Sequence, residues 1–402
     1  PFDGQIESGA ALGVSINGSP YQRGKNAERA TAVIEATEKH KVPIVYVNQV
    51  GGQDELIFDG SSFVADANGK VIARLPQFEE AVDVVDVEVP SSERGALPVI
   101  VTSLERQNRK PLMKSPIAEP NNDVGEVWNA LVLATRDYVN KNGFSEAVVG
   151  LSGGVDSSLV AAIAVDALGP RRVHGVSMPS RYSSAGSQDD AAELALNFGV
   201  DFNTIPIEPA HSALLQMLDP FFREDVADLT EENLQSRIRG VLLMALSNKK
   251  GWLVLTTGNK SETSVGYSTL YGDTAGGFAV LKDCPKLLVY ELCRWRNNQT
   301  SAPWIPEASI SKPPSAELRP EQTDEQSLPP YELLDPLLEA YIEQDRAAAD
   351  LISDGYDAAM VERITRLVDL AEYKRRQSPP GPRISAKAFG KDRRLPITNR
   401  YR

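Results

Sequence analysis

At 402 residues the chain has room for two or three domains of about 150 residues, and two of unequal size are the natural expectation. Hydrophobic residues at 42% and charged residues at 24% are an ordinary globular composition with ample apolar material for a core. A formal net charge of −13 gives no electrostatic reason to seek nucleic acid or an anionic membrane, and no apolar run approaches the ~18 residues of a membrane helix.

The sequence begins Pro1-Phe2-Asp3-Gly4, with no Met and no signal-peptide pattern, so a fragment is expected. Apolar runs at residues 11–16 and 42–47 predict buried strands. Between them, residues 25–41 predict a helix with Ala30, Val33, Ile34 and Ala36 on one face. Residues 63–73 form a hairpin pattern around Asn68-Gly69, a strong turn signal. Strand, helix, strand and hairpin over residues 1–92 suggest half of an α/β sandwich, which would expose a sheet face and edges. Residues 93–120 mix charge, Pro and short apolar runs and read as a linker.

A second domain is expected over residues 121–402. Helical patterns at 124–142, 155–168, 185–198 and 231–248 alternate with strands at 147–151, 173–178, 202–207 and 252–256. This alternation predicts a doubly wound parallel sheet, whose ligands bind beyond the carboxyl ends of the strands. The stretch from Trp304 is Pro-rich and charged, and one helix pair is expected in it, near 333–341 and 361–373. Cys284 and Cys293 are too few for a disulfide framework and fit a reducing, cytoplasmic setting. His40, His174 and His211 are scattered without ligand spacing to them, which argues against zinc, and His174 and His211 read as packed or exposed side chains.

The chemistry centres on Gly150-Leu151-Ser152-Gly153-Gly154-Val155-Asp156-Ser157-Ser158. A strand that ends in Ser-Gly-Gly and opens a helix makes a nest of backbone N–H groups suited to an anion such as pyrophosphate. Ser152, Ser157 and Ser158 can add hydroxyl donors. Asp156 would repel phosphates unless a cation intervenes, which suggests a Mg²⁺ bridge. The plain alternative is a tight turn with Asp and Ser as caps, and the full combination after a buried strand favours the functional reading. No Walker pattern or G-x-G-x-x-G occurs; Gly258-Asn259-Lys260-Ser261 only mimics a Walker end. A loop shaped for free pyrophosphate suits attack at the α-phosphate of ATP.

This loop resembles the signature of N-type ATP pyrophosphatases, and so implies an adenine nucleotide alpha hydrolase-like fold. Three downstream stretches resemble the NAD synthetases among them: Leu255-Thr256-Thr257-Gly258-Asn259-Lys260-Ser261-Glu262 with Tyr271-Gly272-Asp273 and Lys286; Asn233-Leu234-Gln235-Ser236-Arg237-Ile238-Arg239; and Lys312-Pro313-Pro314-Ser315-Ala316-Glu317-Leu318 with Gln322 and Asp324-Glu325. The resemblance implies that Glu262 holds Mg²⁺ with Asp156, and that Lys286 and Ser315 reach the phosphates. Gly150, Ser152, Gly153, Gly154, Asp156, Ser157 and Ser158 would form the ATP loop, with Thr257 and Arg237 near the nucleoside and phosphates. Asn233 and Asp273 would hold deamido-NAD. The implied catalytic set is Asp156, Glu262 and Lys286. The implied reaction is ATP-dependent amidation of deamido-NAD through an acyl adenylate, with release of AMP and pyrophosphate.

The segments around Ser19-Pro20-Tyr21 and 50–60 resemble the nitrilase-like glutaminase domain of the glutamine-dependent, two-domain form. The resemblance implies that Ser19 lines a glutamine pocket. In that family a Glu, Lys and Cys triad precedes the match to Ser19, and here eighteen residues without Cys precede it. Residues 1–92 are therefore expected to be the C-terminal half of a glutaminase domain, and this chain is expected to take ammonia from solution. A homo-oligomer is expected, without nucleic acid or membrane. Two rivals differ in what they require: a tRNA-modifying adenylating enzyme needs a basic surface, and a non-catalytic nucleotide-binding regulator needs a degraded loop.

Overall fold

The computed structural model describes residues 2–90, 115–222, 226, 228–301 and 303–398. These fall into two compact units, Pro1–Gly51 with Ile57–Glu126, and Gly52–Leu56 with Val127–Arg402. In chain order the first elements are α1 (Phe2–Glu7), β1 (Gly13–Asn17), α2 (Lys25–His40), β2 (Ile44–Asn48), β3 (Val50–Gln53), β4 (Leu56–Asp59), β5 (Phe63–Ala65) and β6 (Val71–Arg74).

In the first unit β1, β2, β5 and β6 form a sheet in that order. β1 and β2 are parallel, and β5 and β6 run antiparallel as a hairpin turned at Gly69, whose φ of 82° suits glycine after Asn68. Ala30 and Val33 of α2 pack on Tyr46, Phe63 and Ala65, so the apolar stripe of that helix covers one sheet face. Arg29 anchors it further: its guanidinium donates to both oxygens of the buried Asp59 at 2.7 and 2.8 Å. On β1, Val14 and Ile16 are 60% and 82% exposed.

The second set of elements is α3 (Asp123–Lys141), β7 (Ala147–Gly150), α4 (Val155–Leu168), β8 (Val173–Ser177), α5 (Ala185–Phe198), β9 (Asp201–Thr204), α6 (Glu208–Phe222), α7 (Leu229–Lys250), β10 (Leu253–Thr256), α8 (Lys260–Val265), β11 (Phe278–Ala279) and α9 (Lys286–Asn297). There follow α10 (Glu307–Ser311), α11 (Tyr331–Ile342), α12 (Ala348–Ser353), α13 (Ala358–Leu370) and α14 (Glu372–Arg375). The second unit begins six residues later than the expected domain start at Asn121, because the first turn of α3 belongs to the first unit. There Asp123 accepts from Arg23 Nε at 2.8 Å and Glu126 from Gln77 Nε2 at 2.6 Å. Most of the expected linker lies outside the described residues.

The second unit holds a five-stranded, all-parallel sheet in the order β11-β10-β7-β8-β9. The chain leaves β7 outward through β8 and β9, then returns to β10 on the other side of β7. The reversal puts the switch point between β7 and β10, where such sheets open a crevice beyond their carboxyl ends. α4 follows β7 directly and is buried all round, with Leu159, Val160 and Ile163 fully covered.

Where one helix pair was expected beyond Trp304, five α-helices stand among the described residues. The two expected ones are α11 and α13; α10, α12 and α14 have five, six and four residues, too short for a helical period to register. Leu334, Leu337, Ile364 and Val368 of α11 and α13 pack with Val265 of α8, which ties the C-terminal helices to the loop after β10.

Gly153 makes the turn from β7 into α4 possible. Its φ is 76°, and a Cβ there would sit 2.1 Å from the Ser187 carbonyl oxygen. Both the left-handed backbone and the close approach exclude a side chain. Gly153→Ala is expected to lower unfolding free energy by at least about 2 kcal/mol in denaturant titrations, far above the few tenths typical of surface changes.

Candidate active site

Two loops meet at the switch point of the second unit. The loop after β7 runs Leu151-Ser152-Gly153-Gly154 into α4, and the loop after β10 runs Thr257-Gly258-Asn259 into α8. Inside the first loop the hydroxyls brace the backbone. The Ser152 N–H donates to Ser157 Oγ at 3.2 Å, and Ser157 and Ser158 donate to the Gly154 carbonyl at 3.0 and 2.9 Å. Ser157 and Ser158 are buried while Ser152 is exposed, so Ser152 is the hydroxyl of the loop that faces outward.

Asp156, in the first turn of α4, is held from two sides. Asn259 Nδ2 donates to its Oδ1 at 2.9 Å, and Lys286 Nζ pairs with its Oδ2. Lys286 Nζ also lies 3.7 Å from Glu262 Oε1. Three elements, α4, α8 and α9, therefore bring Asp156, Glu262 and Lys286 together. The Lys286 side chain is 2% exposed and lies over the rings of Tyr290 and Tyr331, at 5.9 and 5.5 Å. Burial opposes its charge, but the Asp156 and Glu262 carboxylates outweigh burial and hold the ammonium above its ordinary value. Glu262 is 18% exposed; burial, and then the Asp156 charge, push its carboxyl up to about 8.

Asn259 organises this cluster; the sequence placed it in the stretch that resembles NAD synthetases and in a Walker mimic, with no role of its own. It is fully buried and caps α8: its Oδ1 accepts from the Glu262 N–H at 3.0 Å, while Glu262 Oε2 accepts from the Asn259 N–H at 3.3 Å. The pattern Asn-x-x-Glu is a legible capping box. Lys260, the lysine of the mimic, serves elsewhere: its buried Nζ pairs with Asp283 and Glu343, both at 2.7 Å. Asp324 and Tyr331 were also missed as part of this neighbourhood; the Tyr331 hydroxyl donates to Asp324 at 2.9 Å beside the Lys286 ammonium.

The other expected residues form satellites of this centre. Thr269 joins Asn233 and Asp273: its hydroxyl donates to Asn233 Oδ1 at 2.8 Å and its N–H to Asp273 Oδ1 at 2.7 Å. One pocket is lined by Gly258, Glu262, Thr263, Asp273 and Ser378 among others, so Asp273 and Glu262 face the same space. Ser315 is exposed and accepts from the Glu317 N–H at 3.1 Å. Glu317 in turn accepts from Ser187 Oγ at 2.6 Å, and the Ser187 carbonyl abuts Gly153. Thr257 lies in the loop itself. Arg237 is exposed on α7, donates to the Leu270 carbonyl at 3.2 Å, and shares no hydrogen bond with the Asp156 cluster among the described residues. Ser19 lies in the first unit, where its N–H donates to Asn48 Oδ1 at 2.9 Å. Cys284 and Cys293 are buried thiols, and His174 is tied to Glu146 and Asp201 at 2.7 and 3.1 Å.

Asp156 and Glu262 are a sound donor pair for Mg²⁺, which commonly takes one or two carboxylates and completes its shell with water and phosphate oxygens. No group of three or more His, Cys, Asp or Glu suited to a metal stands among the described residues, so an all-protein cage is not what this site offers. No helix among them is long and apolar enough to cross a membrane.

Comparison with known proteins gives the following likenesses. Residues 127–378 match the NAD synthase family model and residues 15–97 the carbon-nitrogen hydrolase model. The chain is 49% identical to the glutamine-dependent NAD(+) synthetase of Acinetobacter baylyi over 96% of its own length and 68% of that protein's. It is 48% identical to that of Rhodobacter capsulatus over 98% and 70%. The solved glutamine-dependent NAD+ synthetase of Acinetobacter baumannii, in complex with ADP, aligns with a TM-score of 0.68 at 45% identity, over 98% of this chain and 69% of that one.

The raised Glu262 carboxyl has a consequence for stability. A folded value near 8 against an ordinary 4.5 means that the folded state holds a proton the unfolded state has lost. Its contribution to stability therefore falls as pH rises from 4.5 towards 8 and is flat beyond. Glu262→Gln removes that dependence. In metal-free buffer, the melting temperature of the variant relative to the parent is expected to climb between pH 5 and pH 9; a constant difference would refute the buried, proton-holding carboxyl.

Proposed function

We propose a reaction from one premise: the chain belongs to the glutamine-dependent NAD(+) synthetase family. Its second unit amidates deamido-NAD to NAD at the expense of ATP, by way of an acyl adenylate. The observation that carries this reading is the meeting of Asp156, Glu262 and Lys286 at the switch point, where α4 and α8 follow the adjacent parallel strands β7 and β10 and α9 follows β11.

In the first step a nicotinate carboxylate oxygen attacks the α-phosphorus of ATP, and the bond to pyrophosphate breaks. In the second, ammonia attacks the acyl carbon, loses a proton, and AMP leaves. The turn at Gly153, with the Ser152 hydroxyl and the N-terminus of α4, binds the polyphosphate. Lys286 sets a fixed positive charge against the charge that develops on departing pyrophosphate, and its burial makes that charge count for more than it would in water. Asp156 and Glu262 would hold Mg²⁺, which supplies further charge neutralisation on the phosphates. Ser315 approaches the phosphates from the loop braced by Glu317. Thr257 and Arg237 line the nucleoside and phosphate region, and Asn233 and Asp273, coupled through Thr269, hold deamido-NAD. No side chain needs to form a covalent bond; orientation and electrostatics carry the rate.

Ser19 belongs to the carbon-nitrogen hydrolase match and is the residue we assign to a glutamine pocket. The 402 residues contain two cysteines, Cys284 and Cys293, both buried in the second unit. Burial pushes the Cys293 thiol up, away from the thiolate a glutaminase needs. The polypeptide of these residues therefore draws on free ammonia.

Incubated with deamido-NAD, ATP, MgCl₂ and ammonium, the polypeptide is expected to yield NAD, AMP and pyrophosphate in equal amounts. Glutamine in place of ammonium should give none. ADP and phosphate as products would overturn the adenylate, and NAD from glutamine would overturn the assignment of the nitrogen source. Asp156→Ala is expected to lower turnover by about 1000-fold or more while circular dichroism stays unchanged, since it removes both a cation ligand and the partner of Lys286.

A further inference from the structure

Lys286 is the first residue of α9, so the placement of its ammonium depends on where that helix begins. The start of α9 lacks the usual local device. The N-cap position is Pro285, which has no side-chain acceptor, and no side-chain cap bond is made from it. The leading N–H groups of the helix are nevertheless paired. The Lys286 N–H donates to Ser261 Oγ at 2.9 Å, and the Leu287 N–H donates to Asp335 Oδ2 at 2.9 Å. The Ser261 hydroxyl, having accepted from Lys286, passes its own hydrogen to Asp335 Oδ1. One carboxylate on α11 thus closes the end of α9 directly and through a serine on α8.

The geometry assigns Asp335 as the positioning residue that sets Lys286 against Asp156 and Glu262. Ser261 stands next to Glu262 in sequence, so the same bridge fixes two members of the cluster relative to one another. Asp335 is 8% exposed and Ser261 1%, so water cannot take over either bond. The three bonds of the bridge are directional, and each joins a different pair among α8, α9 and α11, an arrangement apolar packing alone would not impose. The assignment rests on the reaction proposed above.

Asp335→Asn keeps the shape but turns an NH₂ towards one of two donors, so the helix start must shift. In the ammonium-fed assay this variant is expected to lower kcat by about 100-fold, the cost of a displacement on the order of 1 Å, with KM for ATP within a few-fold of the parent. In a Lys286→Ala background the same change should cost no more than about twofold, because the residue it positions is gone. An unchanged kcat, or equal losses in both backgrounds, would overturn the assignment. Should Asp335→Asn fail to fold, Ser261→Ala removes the Lys286 N–H acceptor by a smaller deletion and supports the same comparison.

A parent protein that makes no NAD from ammonium would indict the reaction and not the bridge. The bridge is then decided by the rate at which acetic anhydride modifies Lys286, followed by peptide mapping. That rate is expected to rise in Asp335→Asn as the buried ammonium loses its place, and an equal rate would overturn the assignment.

Discussion

A lysine ammonium almost removed from water governs the second unit. Burying an unpaired ion costs several kcal/mol even after relaxation, so Lys286 is tolerable only with partners in place. It has two, Asp156 and Glu262, and they arrive from different loops. The site and the crossing of the chain between β7 and β10 are therefore one feature: Asp156 follows β7 and Glu262 follows β10, on either side of the point where the strand order reverses. The helix ends sharpen the point. Asp156 stands in the first turn of α4, where the partial positive charge of a helix start welcomes a carboxylate. Lys286 stands at the start of α9, where the same effect opposes an ammonium. A cation in that unfavourable position is what a site built for polyphosphate would retain at the expense of its own helix.

What was legible in the sequence follows from how local each signal is. The turn from β7 into α4 announced itself because glycine, serine and aspartate perform their roles within nine consecutive residues. The alternating strands and helices of the sheet were legible for the same reason, and the starts and ends of α4 and α5 stand where periodicity put them. Asn259 carried a readable signal, a capping box with Glu262, that its resemblance to a Walker end obscured. Asp335 carried none. Its bonds reach Ser261 and Leu287 across 74 and 48 residues of chain, and nothing near it in sequence marks a cap supplied by another helix.

Residue type also says less than residue surroundings about how a hydroxyl is used. Ser152, Ser157 and Ser158 are equivalent donors on paper. In the fold Ser157 and Ser158 are buried and turn their hydroxyls to the Gly154 carbonyl, which braces the turn into α4. Shaping the nest and contacting an anion are separate tasks, and the loop divides them among its serines by burial.

The acidity of the chain looks at odds with a tetra-anionic nucleotide, and the site resolves it by locality. Lys286 alone faces two carboxylates, so ATP by itself meets no surplus of positive side-chain charge there. A divalent cation reverses that balance, and Asp156 and Glu262 are the groups that would hold it. Glu262 keeps its proton up to about 8 while no cation is bound. A cation near it favours the ionised form, so under the proposed reading binding of Mg²⁺ with ATP expels that proton, and nucleotide, metal and proton are linked in one equilibrium. Until then Asp156 alone offsets Lys286, and under the proposed reading both carboxyl groups are charged only once the ion that accompanies the nucleotide is in place.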